Sequence, residues 1–226
     1  MPAYRDGPGS TSFAPVQLTG NVHLSELAQM DGISEAMAAV SDQALSGACV
    51  CWGIPFQISD AVVALTVEPV SVDLAPTSAR WWVFLHTSDL RPTKPGPGGF
   101  IAATRGQGQL GEHAADYVIL YADGSEERLK VRRRHQLGAF QRRWGENCFE
   151  AVSHRKPHPM QALHERRSEI SPPADWGRTQ TRATAADGGT WVSWLWAWEN
   201  PRPDVAVVGI RFEPVSGTVV ISAVSA

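Results

Sequence analysis

Four stretches of this chain carry residue types that recognise anions and rings: Gln141-Arg142-Arg143-Trp144-Gly145-Glu146, His154-Arg155-Lys156-Pro157-His158, Asp175-Trp176-Gly177-Arg178, and the end of Trp194-Leu195-Trp196-Ala197-Trp198. A guanidinium presents a planar fork of donors that matches a carboxylate or phosphate, and an indole beside it offers an apolar face against which a ring can lie. Arg142, Arg143, Arg155 and Lys156 are therefore expected to hold carboxylate or sulfate groups, with His154 beside them, while Trp144, Trp176 and Trp198 wall the site. The competing reading is that Trp144 and Trp176 anchor a long loop onto the protein body.

Charge distribution supports the first reading. Residues 128–182 hold thirteen Lys and Arg against five Asp and Glu, a local charge of +8 in a chain of net charge −3. A basic segment on an acidic body suits an anionic partner such as a uronic-acid glycan, a phosphorylated ligand or nucleic acid. Solvated arginines paired to that body are the bland alternative. The run Arg132-Arg133-Arg134-His135 lacks the interleaved aromatics of a single-strand groove, so nucleic acid is not the expected partner.

The stripe Trp194, Trp196, Trp198 alternates on one face of a strand. Facing outward, it would be a platform for sugar rings; facing inward, it is core, the expectation for Trp194 and Trp196 given the area an indole buries. Trp198, beside Asn200-Pro201, is expected to be partly exposed.

Other chemistry is poorly supported. Cys148, His154, His158 and His164 match no zinc spacing, and Pro157 and Pro159 break any helix that would align the histidines. A hydrolytic carboxylate pair would have to come from Glu146, Glu150, Glu165, Glu169 and Asp175, whose separations, about 5 to 10 Å in such enzymes, a sequence does not supply. No nucleophile elbow, phosphate loop or dinucleotide fingerprint is present. No catalytic residue, metal ligand or cofactor is assigned.

The elements that must position these residues are strands. Sixteen prolines and twenty glycines in 226 residues, with 43% hydrophobic and 19% charged content, suit a strand-and-turn domain. Period-two, β-branched patterns run through Cys51–Ile58, Val62–Val67, Val70–Leu74 and Trp81–Thr87, the last apolar on both faces as a central strand between two layers would be. Asp123-Gly124 marks a hairpin joining Tyr117–Tyr121 to Glu126–Val131. Trp191–Trp198, Val205–Phe212 and Thr218–Val224 complete an expected all-β antiparallel jelly-roll sandwich of about nine strands.

Residues 1–15 read as a disordered lead-in, 16–226 as one domain, and 133–190 as a long basic insertion, far beyond the about 12 to 15 residues of an ordinary loop. Ser34 caps one short, peripheral helix. Cys49, Cys51 and Cys148 read as small buried hydrophobes rather than a disulfide framework. No apolar run approaches the ~18 residues that span a bilayer, and the first residues lack a signal peptide's apolar centre, so a cytoplasmic protein or a piece of a longer one is expected.

The succession Phe84-Leu85-His86-Thr87, Tyr117-x-Ile119-x-Tyr121-Ala122-Asp123-Gly124-Ser125, Trp198-Glu199-Asn200-Pro201-x-Pro203-Asp204 and the following Ile210-x-Phe212 resembles the galactose-binding-like jelly-roll modules of multidomain carbohydrate-active enzymes, from about Gly53 to the C-terminus. The resemblance implies fold but transfers no ligand residues. It leads to the expectation of a non-catalytic carbohydrate-binding or accessory module for an anionic glycan, partnered by a catalytic domain or by its own copies. The alternatives are a structural or oligomerisation module without ligand, and a stand-alone hydrolase or lyase using residues of the insertion.

Overall fold

The computed structural model describes residues 3–91, 98, 108–141, 147–156, 159–160, 180–181 and 191–226. In chain order the elements are β1 (Pro15–Val16), β2 (Val22–His23), α1 (Glu35–Ala38), β3 (Gly47–Cys51), β4 (Ile54–Ile58), β5 (Ala61–Leu65), β6 (Val70–Thr77), β7 (Trp81–Ser88), β8 (His113–Tyr121), β9 (Glu126–Arg132), β10 (Ala151–Ser153), β11 (Pro159–Met160), β12 (Gln180–Thr181), β13 (Trp194–Glu199), β14 (Val207–Pro214) and β15 (Val219–Ser225).

Two antiparallel sheets face each other. The larger runs β10-β13-β7-β15-β5-β2, with β1 also on β15, and the smaller runs β6-β14-β8-β9. The chain passes repeatedly between them, as from β5 to β6 to β7 and from β13 to β14 to β15. Between the sheets lies the main core, where Trp82, Phe84, Trp194, Trp196 and Ile221 meet Tyr117, Ile119, Val131, Ile210 and Phe212. Burying such a side chain contributes roughly 1.5–3 kcal/mol, so this interface dominates the stability.

The larger sheet is covered on its other face too. The β3–β4 hairpin lays Cys49, Cys51, Phe56 and Ile58 onto Val83, Leu85, Leu195 and Ala223. Further along, Leu24, Leu27, Met37 and Ala44 cover Val62, Ala64 and Val220, joined by Phe140 and Trp191. Hence β7 is buried along all but its first residue, as its two-sided apolar pattern predicts.

Several expectations are refined. The strand expected from Cys51 is split by a turn at Trp52-Gly53, both at positive φ (56° and 78°), and the extra short strands take the total past nine. The helix is only one turn: the Ser34 hydroxyl accepts from the Met37 amide as a cap, and Met37 is fully buried rather than peripheral. The lead-in is laid along the body: Arg5 bridges Val50, the Ser10 amide donates to the Gly53 carbonyl, and Ala14 and Ala226 exchange amide hydrogen bonds. The insertion supplies part of the sandwich, since Leu137 joins the main core and β10 pairs with β13. Cys49 and Cys51 are buried thiols, and Cys148 is half-buried. Among the described residues no helix is long and apolar enough to cross a membrane.

Candidate functional site

Strand β10 ends at Ser153, and the chain continues through His154, Arg155 and Lys156 beside the tip of the β3–β4 hairpin. Three of the expected basic residues therefore meet aromatic partners from distant parts of the sequence. The Trp52 indole Nε1–H donates to the Ser153 carbonyl at 2.7 Å, while the ring stays 39% exposed. Lys156 Nζ lies 5.6 Å from the Trp52 ring centroid and 3.2 Å from the Asp6 carboxylate. The same carboxylate accepts from the backbone amide of Trp52 at 2.7 Å, which helps hold an indole-bearing residue in left-handed backbone that glycine or asparagine would favour.

Arg155 is placed differently. Its guanidinium carbon lies 5.8 Å from the Tyr4 ring centroid, and its Nε donates to His154 Nε2 at 3.2 Å. No carboxylate of the described residues lies within ion-pair distance of it. His154 is buried, with its ring edge-on to Tyr4 at 5.4 Å and Nδ1 3.3 Å from the Ser193 carbonyl. Nδ1 also accepts from the Ser193 backbone amide at 3.1 Å, so the His154 ring is fixed against β13 on one side and meets Arg155 on the other. Burial, and then the Asp6 charge, raise the Tyr4 hydroxyl pKa, so Tyr4 stays neutral.

The other expected residues are not gathered here. Trp198 is half-buried and packs against the main core on the inner side of β13, with Trp194 and Trp196 buried in the same cluster, so the tryptophan stripe is core. Arg142, Arg143, Trp144 and Trp176 lie outside the described residues, as do His158 and His164 of the metal reading. Among the described residues no group of three or more His, Cys, Asp or Glu could hold a metal ion. Glu150 is committed to Gln136 Nε2 at 2.8 Å and lies 3.7 Å from His135.

Part of the basic segment is neutralised within the fold. Arg128 bonds Asp116 and Glu213 on the solvent face of the smaller sheet, where Arg211 bonds Glu126 and Glu213. These guanidinium groups hold the Glu213 and Glu126 carboxyls below their ordinary range. Arg133 is buried, 2.9 Å from Glu112, and donates to the carbonyls of Asp89 and Ser216.

Trp52, Tyr4 and Asp6 were not anticipated as site residues. The signal for Trp52 was a large aromatic beside glycine between two β-patterned runs, the position of a hairpin tip. Tyr4 and Asp6 gave no signal, because only the tertiary path of residues 3–14 brings them there. The sequence matches no protein-family model and no curated protein.

Proposed function

We propose that the chain is a non-catalytic carbohydrate-binding or accessory module of the galactose-binding-like jelly-roll kind, and that it takes an anionic, uronate-type glycan at Trp52, Arg155 and Lys156. The observation that carries this reading is the exposed Trp52 ring with Lys156 over it, next along the chain to Arg155, a guanidinium on Tyr4 without a carboxylate partner among the described residues. A uronate ring has the matching chemistry: an apolar C–H face for the indole, a carboxylate for the guanidinium fork, and hydroxyls for the Lys156–Asp6 pair. The repeated passage of the chain between two antiparallel sheets supports the jelly-roll assignment. Calorimetric titration with galacturonate and with neutral galactose tests the reading. Binding of galacturonate that weakens at least tenfold on Arg155→Ala is expected, and absence of binding to any uronate sinks it.

The second reading is a structural or oligomerisation module. The 72% exposed Phe149, next to the short edge strand β10, favours it, because an uncovered aromatic at a sheet edge is the kind of surface a second copy covers.

A further inference from the structure

Strand parity places a second exposed indole on the same face of the larger sheet as the hairpin. In β7, Trp82 and Phe84 point between the sheets, while Val83 and Leu85 point outward under the hairpin, so Trp81 points outward as well. It is 40% exposed. In β13, Leu195 is outward and covered, and the next outward residues, Ala197 and Glu199, are exposed. Register sets Val152 opposite Leu195, Ala197 opposite Val83 and Glu199 opposite Trp81. Val152 is 43% exposed and directly precedes Ser153, whose carbonyl holds the Trp52 indole.

Among the described residues these positions form an exposed strip, from Trp52 across Val152 and Ala197 to Trp81. From the level of Leu195 to that of Glu199 it runs four residues along the strand, about 13 Å at strand rise. Each end repeats the same chemistry. Trp52 has Lys156 paired with Asp6, and Trp81 has Arg80 on the neighbouring residue, bonded through Nε and Nη2 to Glu199. An exposed ring flanked by a cation–carboxylate pair suits a sugar unit, whose faces are apolar and whose rim is a ring of hydroxyl donors and acceptors. Arg155, without a carboxylate partner among the described residues, directly precedes the Lys156 that lies over Trp52, so charge complementarity sets the carboxylate at that end.

We infer that the occupant of this strip is a linear, uronate-bearing oligosaccharide, with Trp81 forming a second subsite that a single sugar held at Trp52 cannot reach. The inference rests on the carbohydrate-binding reading and deepens it by naming chain length as the determinant of affinity.

Calorimetric titration of the chain and of Trp81→Ala with galacturonate oligomers from one to six units tests it, with Trp81→Phe as a second variant and near-ultraviolet circular dichroism as the check on folding. Affinity of the unaltered chain should rise with length. Trp81→Ala should remove roughly tenfold of affinity for the hexamer, leave the monomer unchanged, and be partly rescued by Trp81→Phe. If the monomer binds and the hexamer gains nothing, or Trp81→Ala leaves the hexamer affinity intact, the second subsite is wrong while the Trp52 site stands. If no length binds, both fall. If Trp81→Ala instead shifts the oligomeric state in sedimentation, the strip is an interface between copies and the inference is overturned.

Discussion

His86 and Tyr117 join the two sheets through a buried hydrogen bond, His86 Nδ1 lying 2.7 Å from the Tyr117 hydroxyl. The other ring nitrogen, Nε2, lies 2.9 Å from the Gln136 carbonyl, which can only accept, so Nε2 carries the proton and Nδ1 accepts from tyrosine. The ring is sealed against Trp196, 6.3 Å away and nearly parallel, and stacks on Phe84. A neutral imidazole is fully satisfied there, whereas protonating Nδ1 takes the acceptor from the Tyr117 hydroxyl and places a charge in the core.

Burial lowers the His86 pKa from 6.5 to about 4, only partly offset by the bond to Gln136. The unfolded chain therefore takes up a proton as pH falls through 6.5, while the folded chain refuses it until about 4. This contribution is complete above pH 6.5, declines between 6.5 and 4, and is absent below, a loss of about 3 kcal/mol across the window. The exposed carboxylates that arginines hold below their ordinary range act lower, as pH falls past their own unfolded values. Denaturant unfolding at pH 7 and pH 4.5 should show the decline, and His86→Phe should flatten it while costing about 1–3 kcal/mol at pH 7 for the Tyr117 hydroxyl left unpaired.

In the proposed site, Trp52 sets stability against recognition. Its positive φ suits asparagine, and Asn-Gly is the preferred pair for a two-residue hairpin turn of this kind. Trp52→Asn should leave the thermal midpoint unchanged or raise it, because relief of about 1 kcal/mol of backbone strain offsets the lost indole contacts. Binding of galacturonate should fall at least tenfold in the same variant. A large drop in the thermal midpoint would show that the indole is a structural prop.

Arg133 is the buried cation of the turn that follows β9. Burial pulls its pKa down to about 10, with Glu112 opposing, so it remains charged at neutral pH. Arg133→Met strips the carbonyls of Asp89 and Ser216 of their donors and, among the described residues, leaves the Glu112 carboxylate to Arg91 and Ser216. A loss of about 3–5 kcal/mol in denaturant unfolding is expected, with part of it recovered in the double variant with Glu112→Gln.

Period-two patterning made the sandwich legible, because a strand covered on one or both sides must write that fact into alternate residues. The motif residues behind the galactose-binding-like resemblance turn out to bond one another: His86 with Tyr117, and the Tyr121 hydroxyl with Asn200 at 2.6 Å. Both bonds are internal to the fold, the first joining the two sheets. The site was only half legible. His154, Arg155 and Lys156 were marked by their charge, but Tyr4 and Asp6 reach them from about 150 residues away along a path no local pattern encodes. The Trp194-Trp196-Trp198 stripe shows the opposite limit, since period two says that residues share a face without saying which way it looks.

The double cover over the larger sheet restricts where this protein can vary. Every residue of β15 is enclosed, whereas β6 alternates between enclosed and open positions in its middle. A polar replacement anywhere in β15 meets either the sandwich interior or the layer outside it, so neither register of that strand is permissive. Tolerance for sequence drift is left to the outward side of the smaller sheet and to the connections, and the proposed binding surface at the β10 margin near Trp52 can change without disturbing β15, three places further in.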